Sequence, residues 1–351
     1  MSTEAAVVLI GYGLAGSAFH APFIAAAEGL RLVAVVTGDS GRAADAVARY
    51  PGIEVIDSVS RVWPRAAEFD LAVVASPNRY HVAQASAALD ARLHVVVDKP
   101  AAATGREVRD LAATAERAGR VFTTFQNRRW DGDFRTVRHL LERGDLAGVT
   151  RFESRFERAA APVKTGWKGS ADPADLADIR YDLGSHLVDQ AIVLFGRPTA
   201  VYAQVQATRP GAPAPEDATV HLTHPGGVVS YLRTSKASVP VAPRFALAGP
   251  DVGYHCWGLD PQESASRSGR LPTDPGFGSY PESQWGHLTT ATGSHPTPTL
   301  DGHYLGFYTA LAACLRGEAP NPVPPAETAD VADTIEAAFR STELGAPVLL
   351  D

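Results

Sequence analysis

Short apolar runs, unbroken in the first and weaker in the third, alternate with longer helical stretches through the first third of the chain. The runs cover residues 7–10, 32–36, 53–56, 71–75, 93–97 and 121–125. A strand that is apolar on both sides is buried on both faces, as in a parallel sheet. Between the runs, 15–27, 41–50, 60–68, 80–90 and 104–118 read as helices. This alternation predicts a doubly wound, Rossmann-type sheet with helices on both faces. After residue 125 the pattern changes. A helix is expected at 133–143, ended by Gly144, and a partly alternating strand at 149–158. Residues 159–177 read as loop, and residues 181–190 as the first turns of a helix. Strand candidates follow at 200–207, 218–223, 228–234, 244–248 and 254–257, with His224-Pro225-Gly226-Gly227 as a hairpin turn. A meandering sheet with one face on helices leaves the other free for a partner subunit. Residues 262–298, rich in Gly, Pro and Ser, read as long loops, and 303–315 and 327–344 as helices. Two domains are therefore expected, 1–125 and 126–351.

Length and composition sharpen this. The chain has 351 residues, enough for about two ordinary domains. Apolar residues are 45% and charged residues 20%, as in a globular protein. The net charge of −7 argues against nucleic-acid or anionic-membrane partners. Two distant cysteines, Cys256 and Cys314, give neither a disulfide framework nor a zinc motif, and no metal is expected. The first apolar run is too short to span a bilayer and no basic leader precedes it, so the chain reads as cytoplasmic.

The candidate chemistry begins with Gly11-Tyr12-Gly13-Leu14-Ala15-Gly16. This GxGxxG follows a predicted strand and opens a predicted helix, the setting that gives the pattern force. Gly11 allows the tight turn, Gly13 lets the backbone approach a pyrophosphate, and Gly16 lets helix pack closely on strand. The helix N-terminus offers N–H groups to the phosphates. At the end of the second strand, Thr37-Gly38-Asp39-Ser40-Gly41-Arg42 has no acid in its first two places. Ser40 and Arg42 suit a 2′-phosphate, whereas Asp39 suits a ribose hydroxyl or a helix cap. The balance favours NADP over NAD. Ser76, Pro77, Asn78 and His81 follow the fourth strand, where ligands bind in such sheets; a plain turn capped by Asn78 is the alternative. Asp98-Lys99-Pro100 follows the fifth. Lys99 can meet both nicotinamide and substrate, and can donate to a substrate oxygen. The Lys99–Pro100 bond is a candidate cis bond. Farther on, Asp182 and His186 stand four apart and share a helix face, with Asp189 near it. A carboxylate and an imidazole one turn apart can hold a proton-transfer group in place, although a helix-starting Asp and a buried polar His would give the same spacing.

Taken in order, these motifs resemble the glucose–fructose oxidoreductase / inositol 2-dehydrogenase / rhizopine-catabolism family over nearly the whole chain. Phe125-Gln126-Asn127-Arg128-Arg129-Trp130-Asp131 and Tyr181-Asp182-Leu183-Gly184-Ser185-His186-Leu187-Val188-Asp189-Gln190 are most similar to its NADP-dependent scyllo-inositol dehydrogenase branch. The resemblance implies an α/β fold in which a Rossmann domain precedes an α+β domain with a large open, mostly antiparallel sheet. It implies a homodimer or homotetramer through that sheet, and an NAD(P)-dependent oxidoreductase acting on a cyclitol, sugar or other polyol. The family's catalytic Lys, Asp and His fall on Lys99, Asp182 and His186. Asn127, Arg128, Trp130, Trp167, Tyr181 and Asp189 are the substrate-binding candidates. Two departures stand out. Residues 175–180, Asp-Leu-Ala-Asp-Ile-Arg, replace a glycine run common in the branch, and Asp98 replaces a Glu.

The expected reaction interconverts a secondary alcohol and a ketone. His186 takes the hydroxyl proton, Lys99 stabilises the oxygen, and Asp182 orients the pair. Two rivals remain: glycoside cleavage by transient oxidation, and a non-enzymatic dinucleotide-binding regulator.

Overall fold

The computed structural model describes residues 4–159, 166–212, 214–239 and 242–350. They form two compact units. The first comprises the chain to Asn127 together with Gln262–Phe277 and His303–Ala329. Its strands are β1 (Ala5–Ile10), β2 (Leu30–Val36), β3 (Glu54–Ile56), β4 (Leu71–Val74), β5 (His94–Asp98) and β6 (Phe122–Phe125). They pair in the order β3-β2-β1-β4-β5-β6, and every pairing is parallel. The reversal of order between β1 and β4 creates the crevice where such sheets bind ligands. Val7, Val8 and Leu9 are fully buried, as are Val73, Val74, Val95 and Val96, so the apolar runs do form the sheet's centre.

The helices follow the expected alternation with one exception. α1 (Ala21–Ala26) continues a π-helical turn, Gly16–His20. α2 (Ser40–Arg49), α3 (His81–Asp90) and α4 (Gly105–Ala118) stand where the pattern puts them, α4 opening on a full Thr104/Glu107 capping box. Residues 60–68 form two 3₁₀ turns, Val59–Arg61 and Trp63–Glu68, rather than a helix. Pro64 removes a backbone donor there, and Arg65 leaves the helical region.

The expected second domain is not one stretch, because two later segments return to the first unit. Phe277 and Tyr304 pack on Phe23, while Phe307 and Tyr308 pack on Phe125. Asn321 and Val323 bond the backbone and side chains of β6, at Phe122 and Thr123.

The second unit carries β7 (Arg151–Glu157), β8 (Ala200–Gln206), β9 (Asp217–Thr223), β10 (Val229–Ser235), β11 (Phe245–Ala248), β12 (Gly253–Cys256), β13 (Gly286–Thr290), β14 (Gly293–Thr297) and β15 (Val348–Leu349). Their order is β14-β13-β12-β11-β7-β10-β9-β8-β15, with β7–β10 the single parallel pair among them. One face packs on α5 (Gly132–Glu142), α6 (Ser185–Phe195) and the later part of α9 (Pro325–Leu344), burying Phe152, Phe245, Leu222 and Leu232. On the opposite face Tyr202, His221 and Tyr231 form a cross-strand row. The β13–β14 hairpin and the helix α7 (Pro261–Arg267) occupy a region expected to be loop; β14 is too polar and exposed to show the period-2 pattern. α8 (Leu305–Leu315) belongs to the first unit. Among the described residues no helix is long and apolar enough to cross a membrane.

Candidate active site

In the first unit, the candidate residues gather at the carboxyl ends of β1, β2, β4 and β5. Gly11 has φ +99°, and a side chain there would meet the Ala75 carbonyl oxygen 2.6 Å away. Only glycine fits this turn beneath the end of β4. A Cβ on Gly16 would collide with the Gly11 carbonyl oxygen, so the loop closes tightly on itself. Above Gly13 the space is open, and its nearest neighbour is the Arg42 guanidinium, 4.0 Å from where a Cβ would stand. A backbone cradle bare of side chains, with a cation at its rim, fits a dinucleotide pyrophosphate and its ribose substituent.

Several side chains in this cradle have other work. The Tyr12 ring is buried and its hydroxyl donates to Asp45 at 3.2 Å, so only its backbone remains for a cofactor. Leu14 is exposed and Ala15 half-buried. Asp39 accepts the Arg42 backbone N–H at 2.9 Å and caps α2, which is the simpler of its two expected roles. Thr37 accepts from the Asp39 backbone, and Ser40 is exposed at the start of α2. The Ser76 hydroxyl donates to Gln84, and Pro77 leads into a 3₁₀ turn, Asn78–Tyr80. Asn78 sits inside that turn and does not cap α3.

His81 corrects a sequence-based expectation. Its place after β4 suggests a cofactor contact, yet its ring is buried and bridges two backbone carbonyls. Nδ1 lies 2.8 Å from Pro100 O, and Nε2 lies 2.9 Å from Ser76 O. Burial holds its pKa below the ordinary imidazole range. His81 thus lies between the loop after β4 and the turn that carries Lys99, and as a neutral ring it donates to one of the two carbonyls. The Lys99–Pro100 bond in that turn is cis. Behind it, Asp98 accepts the Lys99 backbone N–H at 2.8 Å, and its other oxygen lies 3.7 Å from His20 Nε2. His20 Nδ1 meets the Tyr308 hydroxyl at 2.6 Å. Burial alone would raise the Asp98 carboxyl, but His20, Lys99 and His81 outweigh it and hold it below the ordinary carboxylate range.

In the second unit, Asp182 lies in a π-helical turn, Arg180–Gly184, that runs directly into α6 with His186 in its first turn. The wider π turn replaces the regular helix that a four-residue spacing implies. The segment before it is anchored firmly. Ile179 is fully buried, Leu176 takes φ +47°, and the Asp178 carboxylate accepts three bonds from Arg180. The Arg180 guanidinium lies 3.4 Å from the centre of the Phe339 ring. Asp178 and Arg180 therefore tie the turn down. Tyr181 packs on the same Phe339, at 5.1 Å between ring centres. Asp182 Oδ2 forms an ion pair with Lys236 Nζ at 3.0 Å, and His186 is buried close by on α6.

The other substrate candidates divide. Asp189, 1% exposed, has both oxygens bonded by Arg129, at 2.6 and 2.9 Å. These bonds tie its carboxylate to the fold through Arg129. Arg128 is buried as well, 3.2 Å from Asp131 and stacked over Phe156, which gives it a packing role too. Asn127, Trp130, Trp167 and Tyr181 are half-buried and keep accessible surface. Residues 160–165, within the expected loop 159–177, lie outside the described residues; the remainder forms short 3₁₀ turns, Gly166–Gly169 and Pro173–Asp175. Among the described residues no three His, Cys, Asp or Glu side chains converge as metal ligands.

Comparison with known proteins agrees with this geometry. Residues 5–126 match the model of an oxidoreductase family with an NAD-binding Rossmann fold, and residues 134–253 match the GFO/IDH/MocA C-terminal domain. The chain is 35% identical to an uncharacterized oxidoreductase of Escherichia coli K12, YdgJ, over the full length of both. It is 32% identical to scyllo-inositol 2-dehydrogenase (NADP(+)) IolW of Bacillus subtilis 168, over 98% of this chain and 96% of that one. A solved Bacillus subtilis oxidoreductase, yvaA, superposes with a TM-score of 0.91 at 30% identity, covering 99% of this chain and 100% of that one. The protein is thus an NAD(P)-binding oxidoreductase of the GFO/IDH/MocA family, related to inositol dehydrogenases.

Proposed function

We propose that this oxidoreductase interconverts a secondary alcohol and a ketone on a cyclitol or related sugar, with NADP preferred over NAD. The observation that carries the reading is the π turn and α6, where an ion-paired carboxylate, Asp182, stands just before a buried imidazole, His186. The bound dinucleotide supplies the hydride-accepting ring. His186 receives the hydroxyl proton as the general base. Lys99 donates to the same oxygen and offsets its growing negative charge. Asp182 accepts from a hydroxyl beside the reacting carbon. Half-buried Asn127, Trp130, Trp167 and Tyr181 offer the polar and aromatic surface a polyol needs, since each buried hydroxyl requires a partner. Arg42 beside the glycine loop supports the NADP preference. The outward row of Tyr202, His221 and Tyr231 is assigned to contact with a second copy of the chain. The test is a panel of inositols and aldoses, each with NAD and with NADP, read by absorbance of the reduced dinucleotide. Net reduction with a cyclitol and NADP is expected. No net reduction, with glycoside cleavage instead, would replace the reading by transient oxidation.

A further inference from the structure

Lys236, the ion-pair partner of Asp182, belongs to no motif. Lys236 directly follows β10, and its backbone N–H bonds the Glu216 carbonyl at 2.9 Å, which fixes the residue at the strand's end. From there its ammonium reaches Asp182, with the two side chains 17% and 31% exposed. Both charged groups are largely but not fully buried, so each keeps some accessible surface beside the other. Only four of the chain's 32 basic residues are lysines, namely Lys99, Lys164, Lys168 and Lys236. In a chain this rich in arginine, a lysine marks a place where a compact ammonium with three rotatable donors suits better than a planar fork. One such place is the turn after β5, and another is the partner of Asp182.

We propose that Lys236 is a substrate-binding residue of the alcohol site, paired with Asp182. It holds the Asp182 carboxylate in one orientation. The ammonium and carboxylate together present a donor and an acceptor side by side. That arrangement matches a hydroxyl, which accepts from one and donates to the other; a methylene, a ketone or an ether beside the reacting carbon cannot do both. The substrate class is therefore an alcohol with a free vicinal hydroxyl.

This inference rests on the proposed function, and the experiment separates the two. Wild type, Lys236→Met, Asp182→Asn and the double variant are compared with NADP and whichever inositol the wild type oxidises. Lys236→Met should lower kcat/KM about 10- to 100-fold, largely through KM, the loss of one charge-assisted hydrogen bond. NADP affinity should stay within about twofold, since binding to the glycine loop does not involve the pair. The double variant should be no worse than the worse single variant, because the two residues act as a unit. If Lys236→Met does not fold, Lys236→Gln, which keeps a donor without the charge, replaces it. An active wild type whose Lys236 variants keep full kcat/KM, or whose losses multiply with those of Asp182→Asn, overturns this inference alone. A wild type inactive on every inositol and aldose overturns the function and this inference together.

Discussion

Arg129→Met tests how α6 is held. The Arg129 guanidinium bonds both oxygens of Asp189, which lies on α6 one turn beyond His186, and the two side chains are 8% and 2% exposed. Two charge-assisted hydrogen bonds contribute about 1.5–3 kcal/mol each, and removing one partner of a buried pair costs about 3–5 kcal/mol. The loss leaves a carboxylate in an apolar setting without its bidentate cation. With roughly 2–4 °C of melting temperature per kcal/mol, the midpoint should fall by about 6–20 °C in a circular-dichroism melt. The Arg129→Met/Asp189→Leu variant removes both charges and should recover more than half of that loss. If Arg129→Met melts within about 1 °C of wild type, or the double variant is as unstable as the sum of the singles, the pair does not hold the helix.

Two further outcomes follow from named groups. Arg42→Ala should weaken NADP binding by about tenfold or more while leaving NAD within about twofold, read by fluorescence titration, because one charge-assisted phosphate contact is lost. Burial pushes the Asp133 carboxyl up to about 6, against the pull of Arg244 3.7 Å away. A raised folded pKa stabilises the fold below the unfolded value near 3.8 and loses that contribution as pH rises through about 6. Relative to Asp133→Asn, the wild type should therefore lose about 2 kcal/mol between pH 4 and 7 in denaturant melts; equal pH slopes would show that Asp133 is not perturbed.

What can be read from the chain follows physical locality. Parallel strands buried on both faces announce themselves as apolar runs, most clearly β1 and β4, while β3 with exposed Glu54 and β6 with two threonines show weaker runs; all six fall within a residue or two of the expected positions. The glycine loop is legible because its demands are local: a φ of +99° at Gly11 and no room for a Cβ at Gly16. The helix carrying His186 is legible too. Its π turn is not, since i→i+4 and i→i+5 bonding fit the same apolar spacing. The roles of Asp189 and His81 depend on partners far away in sequence or on backbone carbonyls, which no spacing encodes. The same holds for Lys236, where rarity of lysine is the one available sign. Aromatic contacts of Phe23 and Phe125 with residues beyond 276 redraw the division of the chain, and such pairings are set by packing alone.

The proposed mechanism stands on Lys99 and His186 performing the chemistry rather than holding the cofactor. Steady-state turnover and NADP titration of Lys99→Ala and His186→Ala separate those two roles. The expected loss in kcat is about 10²-fold or more for each, as for removal of a general base or an oxyanion donor, with NADP affinity nearly unchanged. Full turnover in either variant, or a loss confined to NADP binding, would contradict the mechanism.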